Sequence, residues 1–290
     1  MISASLVKEL REKTGAGMLD CKKALEANDG NIDASIDWLR EKGISKAAKK
    51  ADRIAAEGLS AILTNGNNAV IVEVNSETDF VAKNEEFQDL VKTILETIIK
   101  SDVNSLDEAL KLETNEGTIE ELIISKTATI GEKLSLRRFA KITKNDNESF
   151  GEYIHMGGKI AVLIVTENTD KNVAKDVAMH AAAMRPMYVS INEVSKEEIQ
   201  REKDVLTEKA INEGKKEEFI EKIVTGGLNK FYKEICLEEQ AFVKDDKISV
   251  KEYVKRNGGI IKAMYRYEVG EGMEKREENF AEEVAKQING

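Results

Sequence analysis

Two apolar runs, NAVIVEVN (68–75) and KIAVLIVTEN (159–168), constrain this chain more than any other feature. Each follows a turn signal, Asn65-Gly66-Asn67-Asn68 for the first and Gly157-Gly158 for the second. Each is also preceded by a strand-like partner, near residues 58–64 and 149–156, so both read as β-hairpins. Helical periods come next: EEFQDLVKTILETIIK (85–100) after the first hairpin, and a helix at about 170–184 after the second. LSLRRFAKI (134–142) alternates like a further strand. GGIIKAMYRYEVG (258–270) alternates too, and should return to the second sheet. The repeated order of antiparallel strands and then helices predicts an α+β fold, with helices laid on antiparallel sheets in two subdomains.

Helical segments flank and interrupt this core. Residues 1–44 read as three short helices. Leu6, Val7 and Leu10 face inward on the first, Met18, Cys21, Ala24 and Leu25 on the second, and Ile32, Ile36 and Leu39 on the third. Thr14-Gly15-Ala16-Gly17 and Asn28-Asp29-Gly30-Asn31 supply the turns, and Gly43 is expected to stop the third helix. KAAKKADRIAAEG then reads as a linking helix with Lys46, Lys49, Lys50 and Arg53 in one basic stripe, which by itself is a solvated face. Residues 189–237 read as two long helices joined at Asn212-Glu213-Gly214, an antiparallel hairpin of coiled-coil type. Gly226-Gly227 falls inside its second helix, where each glycine costs ~1 kcal/mol relative to alanine. It marks either a close-packing point or a local break. The tail predicts an amphipathic helix with Phe280, Val284 and Ile288 on one face.

A net charge of −10 repels phosphate backbones at long range, so direct nucleic-acid binding is not expected. Cys21 and Cys236 lie far apart in no paired motif, which fits a reducing compartment. No apolar run approaches the ~18 residues of a membrane span, and MISASLVKELREK mixes charge into its apolar pattern, unlike a signal peptide. A cytoplasmic protein is expected. Phosphate-loop, dinucleotide and zinc spacings are absent from the sequence, so no cofactor or bound metal is expected. Of the two histidines, His180 reads as a satisfied helix residue, whereas His155 stands at a strand edge beside the hairpin glycines. Neither has a neighbouring nucleophile, and no catalytic residue is assigned.

The junction NSETDFVAKN (75–84) is the exception to this plain picture. It lies between an apolar strand and an apolar helix, where chains meet water, yet it sets Phe80 beside Asp79. With a small N-terminal unit, a helical hairpin and a separate tail helix, such a layout suits a protein that grips something larger.

At this point the residues resemble a known family. ASLVKELREKTGAGMLDCKKAL and EVNSETDFVAKNEEF are similar to the two signatures of the elongation factor Ts family. YIHMGGKIAVL, DVAMHAAAMRP, EEQAFVKDDKISV and YRYEVGEGMEKREENFAEEVA continue the likeness to the end, with Met156, Gly158, Ala241 and Lys244 as departures. The resemblance implies an N-terminal domain of the ubiquitin-associated type with its linker (1–54) and a core N-subdomain (55–142). It further implies a core C-subdomain (143–188 and 238–272) interrupted by a dimerisation hairpin (189–237), and a C-terminal module (273–290). The implied activity is guanine-nucleotide exchange on elongation factor Tu, without covalent catalysis. Thr78, Asp79, Phe80 and Val81 would dislocate the Mg²⁺ of that GTPase, and the factor would stay on the empty GTPase until GTP rebinds. Met18, Leu19, Lys22, Lys50, His155, Phe242 and Val243 would make further contacts. The hairpin could build a homodimer or heterotetramer, contact the GTPase, or do both. Two rival readings are an adaptor built on the three-helix unit and an RNA-associated translation protein using the basic stripe.

Overall fold

The computed structural model describes residues 2–14 and 16–274, and the chain divides into two compact units. Of the described residues, the first takes those up to 63, 72–141 and 268–274, the second 64–71 and 142–267. The expected tail helix and Gly15 lie outside the described residues, as does the side chain of Lys46.

In the first unit, α1 (Ala4–Thr14), α2 (Met18–Ala27) and α3 (Ile32–Ala48) close over Val7, Leu10, Ala16, Cys21, Ala24 and Leu25. Gly43 does not stop α3, contrary to the sequence expectation. The helix continues to Ala48, and residues 49–53 form turns where a linking helix was expected. Gly43 is buried, and a Cβ placed there would stand 3.5 Å from the Cβ of Ala128. That is ordinary van der Waals spacing, and the packing of α3 on α7 carries the helix through a residue of poor helix propensity. Lys49, Lys50 and Arg53 therefore do not share one helix face.

The chain continues through β1 (Glu57–Asn65), β2 (Asn68–Ser76), α4 (Asp79–Ala82), α5 (Glu85–Ile99) and α6 (Leu106–Leu110). A two-residue-strand ribbon, β3 (Glu113–Thr114) and β4 (Gly117–Thr118), leads into α7 (Ile119–Ile130) and β5 (Ser135–Thr143). The sheet order is β1-β2-β5, and the central strand β2 is buried on both faces from Ala69 to Ser76. That explains why NAVIVEVN shows no alternation. Helix α5 buries Phe87, Leu90, Val91, Ile94, Leu95, Ile98 and Ile99, a helical period laid toward the core. Capping boxes, Ser105 with Glu108 and Thr118 with Glu121, start α6 and α7, and Gly131 at φ +92° ends α7.

Glu73, in the middle of β2, is completely buried. Its Oε1 accepts from Arg137 and from the Gly270 N–H, both at 2.9 Å, and its Oε2 from Arg138 Nε at 2.6 Å. Arg138 also reaches the Glu268 carbonyl and the Glu271 carboxylate, each at 3.2 Å, while Arg137 donates to the Glu271 carbonyl. Burial alone would raise the Glu73 carboxyl. The Gly270 N–H and then the two arginines outweigh it and hold the group below its ordinary value.

The second unit begins with β6 (Glu148–His155) and β7 (Ile160–Glu167), paired antiparallel from Glu148↔Glu167 to His155↔Ile160. There follow α8 (Lys171–Met184), α9 (Lys196–Asn212), α10 (Glu217–Ile235), the ribbon β8 (Ala241–Phe242) and β9 (Asp245–Ser249), α11 (Val250–Arg256) and β10 (Ile260–Glu268). The order β10-β7-β6 places the second apolar run in the centre, buried from Ile160 to Thr166. Helix α8 starts at Asp170, whose Oδ1 accepts from the Asn172 and Val173 N–H groups, and lies against the sheet at Gly151. A Cβ on Gly151 would come within 2.1 Å of the Ala174 carbonyl.

Helices α9 and α10 form the expected hairpin, and its ends are tied together. The Met187 and Tyr188 N–H groups donate to the Ile235 carbonyl, and Leu237 and Glu238 donate back to Tyr188 and Val189. Helix α10 runs unbroken through Gly226-Gly227, where a Cβ on Gly227 would stand 2.6 Å from Leu206. Gly227 is a close-packing point, whereas a Cβ on Gly226 would meet nothing within 4 Å. The β8–β9 ribbon and α11 have no counterpart in the sequence expectation, because strands of two and five residues and a seven-residue helix are too short to show a period.

Replacing Glu73 by Gln strands two half-buried guanidinium groups and should cost about 3 kcal/mol in urea unfolding. Because the folded-state value lies below 4.5, the contribution of Glu73 is complete above pH 4.5 and disappears as pH falls through that lowered value. Glu73→Gln should therefore flatten the acid limb of the stability curve; an unchanged limb refutes the assignment. Gly151→Ala should push α8 off the sheet at a cost of about 3 kcal/mol, and a loss of less than about 1 kcal/mol on the same measurement contradicts the close contact.

Candidate functional site

Phe80 sits where β2 hands over to α5. The chain leaves the sheet at buried Ser76, whose hydroxyl donates to the Thr78 carbonyl at 2.9 Å. Thr78 is extended and caps α4, its Oγ1 accepting from the Val81 N–H at 3.4 Å. Asn84 caps α5 in turn, its Oδ1 accepting from the Glu86 N–H at 2.8 Å. Two N-caps six residues apart confine α4 to a single turn. Val81 and Ala82 face the core, so the opposite side of that turn must face out, since successive helical residues point ~100° apart. Phe80 is consequently 78% exposed. Asp79 pairs with Lys83 at 2.9 Å, and the Lys83 ammonium stands 5.8 Å from the Phe80 ring centre.

The turn rests on Glu132, Glu77 and Lys133, which the sequence analysis did not single out, together with Arg53 and Lys50 of the expected basic stripe. Glu132 accepts from the Thr78 N–H at 3.0 Å and from its hydroxyl at 2.7 Å. Glu77 accepts from the Lys133 N–H at 2.7 Å and from Arg53 at 3.2 Å. Lys133 Nζ returns to the Arg53 carbonyl at 3.0 Å, and Lys50 Nζ donates to the Gly131 carbonyl at 2.6 Å. Nothing in the sequence connects these glutamates to their partners before folding.

Of the other residues named from sequence, Met18 and Leu19 are exposed on the first turn of α2, and Lys22, one turn on, faces Glu26 at 3.8 Å. In the second unit His155 is half-buried at the end of β6, flanked by exposed Ile154 and Met156, with its Nδ1 3.4 Å from the Tyr153 hydroxyl. Phe80 and His155 belong to different units, each positioned by its own. Phe242, expected to meet a partner directly, is 2% exposed and stacked on Tyr253 at 4.1 Å between centroids. The neighbouring Val243 is the member of that pair with surface to offer.

Val243 is held by His180. Its N–H donates to His180 Nδ1 at 3.1 Å, which makes Nδ1 a lone-pair acceptor and leaves the proton on Nε2 to donate to Gln240 Oε1 at 3.0 Å. Gln240 passes the chain of bonds on to the Glu234 carbonyl at 2.8 Å. Burial depresses the His180 value and outweighs the opposing bond to Gln240. A buried histidine kept neutral contributes stability that is complete above its unfolded value of 6.5 and is lost as pH falls through the lowered folded value. The amide of Val243 should lose hydrogen-exchange protection as pH is lowered through that range, after correction for the intrinsic rate, and His180→Gln should remove the dependence.

Among the described residues no group of three or more His, Cys, Asp or Glu is placed to hold a metal ion, and no helix is long and apolar enough to cross a membrane. The site offers surface, shape and an exposed ring. A family model described as Elongation factor TS matches residues 77–271, starting at the first carboxylate of the Phe80 support. That span is more than half of the chain, which therefore belongs to the elongation factor Ts family of nucleotide exchange factors in translation elongation.

Proposed function

We propose that this chain promotes GDP release from elongation factor Tu by using Phe80 as a wedge. The observation that carries this reading is the exposure of a large apolar ring on a turn whose neighbours Val81 and Ala82 are fixed in the core. A GTPase of this kind holds GDP through a phosphate loop and a Mg²⁺ ion that bridges phosphate to protein. Entry of the ring between helices of the nucleotide domain, with Asp79 beside it, displaces the support of the metal site. Thr78 and Val81 fix the ring's angle of approach. No covalent bond is made or broken. Linkage makes the coupling reciprocal, so GDP and the factor weaken each other, and the empty GTPase keeps the factor until GTP rebinds.

The remaining contacts follow from the exposures already described. Met18, Leu19 and Lys22 hold the nucleotide domain from the N-terminal helices. His155, with Ile154 and Met156, assists from the second unit. Val243, whose N–H is held by His180, meets another domain of the GTPase. Lys50 acts indirectly through the Gly131 loop. The α9–α10 hairpin carries exposed Val205, Ile211 and Phe219 and is the surface through which a homodimer or heterotetramer would form.

Burying a Phe side chain contributes ~1.5–3 kcal/mol, and each 1.36 kcal/mol of barrier is tenfold in rate. Phe80→Ala should therefore lower the saturating rate of stimulated GDP release roughly 10–100-fold, timed with elongation factor Tu carrying fluorescent GDP. An unchanged saturating rate removes Phe80 from the mechanism. For the hairpin, Phe219→Glu should abolish any self-association seen by sedimentation across a concentration series. A wild-type chain that stays monomeric throughout disposes of the dimer.

A further inference from the structure

We infer that Glu132 is a positioning residue for exchange: it locks the Phe80 turn in the conformation a partner meets. The inference rests on the wedge reading for its consequence, but its structural half concerns this chain alone. A one-turn helix cannot hold itself together, because nucleation costs more than a single turn returns. Something outside α4 must fix it, and the geometry identifies what does.

Both oxygens of Glu132 are engaged by one residue. Oε2 takes the Thr78 N–H at 3.0 Å and Oε1 the Thr78 hydroxyl at 2.7 Å. An ionised carboxylate can only accept, so the single hydroxyl proton of Thr78 must point at Glu132. The hydroxyl lone pairs are then turned toward the Val81 N–H, which they cap at 3.4 Å. Hydrogen bonds in such a chain polarise and strengthen one another. Glu132 thus fixes the rotor of the cap and, through the cap, the turn bearing Phe80.

The fixing is reciprocal. Each glutamate accepts the backbone N–H of the residue after the other: Glu132 from Thr78, and Glu77 from Lys133 at 2.7 Å. Two strands of chain far apart in sequence are latched by side chains in place of a backbone ladder. Arg53, which donates to Glu77 at 3.2 Å and receives Lys133 Nζ on its carbonyl, braces one side of the latch. Lys50 holds Gly131, the residue before Glu132. Phe80 takes no part in these bonds, so the latch stiffens the turn while leaving the ring available.

A mobile turn would be competent only part of the time, and apparent affinity falls by that fraction. A saturating partner would still capture the competent form. Loss of the latch should therefore raise the half-saturating concentration of the factor and spare the maximal rate, whereas loss of the ring lowers the maximal rate.

The test is Glu132→Ala in the full chain, titrated against elongation factor Tu carrying fluorescent GDP, with amide hydrogen exchange measured on the free chain. We expect the half-saturating concentration to rise about tenfold, equivalent to about 1.4 kcal/mol, with the maximal rate within about twofold of wild type. The Val81 amide should exchange at least about tenfold faster, and amides in the α5 core should be unchanged. On a Phe80→Ala background Glu132→Ala should add nothing further. Unaltered Val81 exchange, or an unshifted titration, overturns the inference. A Phe80→Ala chain as active as wild type would instead sink the wedge reading, and Val81 protection would still judge the latch separately.

Discussion

A single buried carboxylate organises the first unit. Glu73 stands on the central strand, with no exposed surface, and draws in Arg137 and Arg138 from β5 and the N–H of Gly270 from the returning chain. An ionised group in that position is tolerated only if its lone pairs are filled, because the desolvation cost of a bare charge is several kcal/mol. These three donors, with the Asn75 side-chain amide at 3.2 Å as a fourth, meet that requirement. They also fix where the chain from Glu268 to Glu271 must come to rest, since Arg138 reaches both Glu268 and Glu271. The sheet that presents the Phe80 turn is thereby held in register from its interior.

Glutamates recur as the fasteners of this unit at different depths. Glu73 is sealed in the sheet, Glu77 and Glu132 latch the turn at its edge, and Glu108 and Glu121 close capping boxes. The common chemistry is a carboxylate accepting backbone N–H groups at element ends and junctions, where helices and strands leave donors unpaired. Several of the chain's many acidic residues are therefore structural acceptors, and the net negative charge is not simply a solvated coat. The rival reading built on a basic stripe weakens for the same reason: Lys50 and Arg53 are occupied inside the unit, and α3 ends before they could line up.

An exposed aromatic ring is usually a cost to solubility, and Phe80 is outward while its apolar neighbours Val81 and Ala82 are spent on the core. In the proposed mechanism that arrangement has a purpose. The ring brings apolar area with few rotors to lose, and the stiff turn beneath it means that less ordering remains to be done on contact. The second unit handles Val243 on similar lines, with His180 and Gln240 fixing the backbone beside buried Phe242. In both places a polar network, buried around His180 and half-buried around Glu132, serves an apolar residue at the surface.

Much of the fold was legible before folding. The two hairpins, α5, α8 and the α9–α10 pair all declared themselves through long apolar periods and glycine or asparagine turns, as did the return of β10 to the second sheet. The signature around Phe80 was legible for the same local reason, since strand, cap and helix follow one another within ten residues. Short pieces escaped: β8, β9 and α11 span too few residues for a period to repeat. Glycines were ambiguous, because Gly43 and Gly227 look like breaks along the chain and prove to be contacts across it. Which ring is outward and which inward was equally beyond reach, as Phe80 and Phe242 are both single aromatics in polar surroundings. By itself the sequence determined the order and kind of its elements, because those depend on neighbours a few residues apart. Only the tertiary structure decided which distant groups meet, Glu73 with Arg138 or Glu132 with Thr78, because a hydrogen bond depends on distance in space and carries no record of separation along the chain.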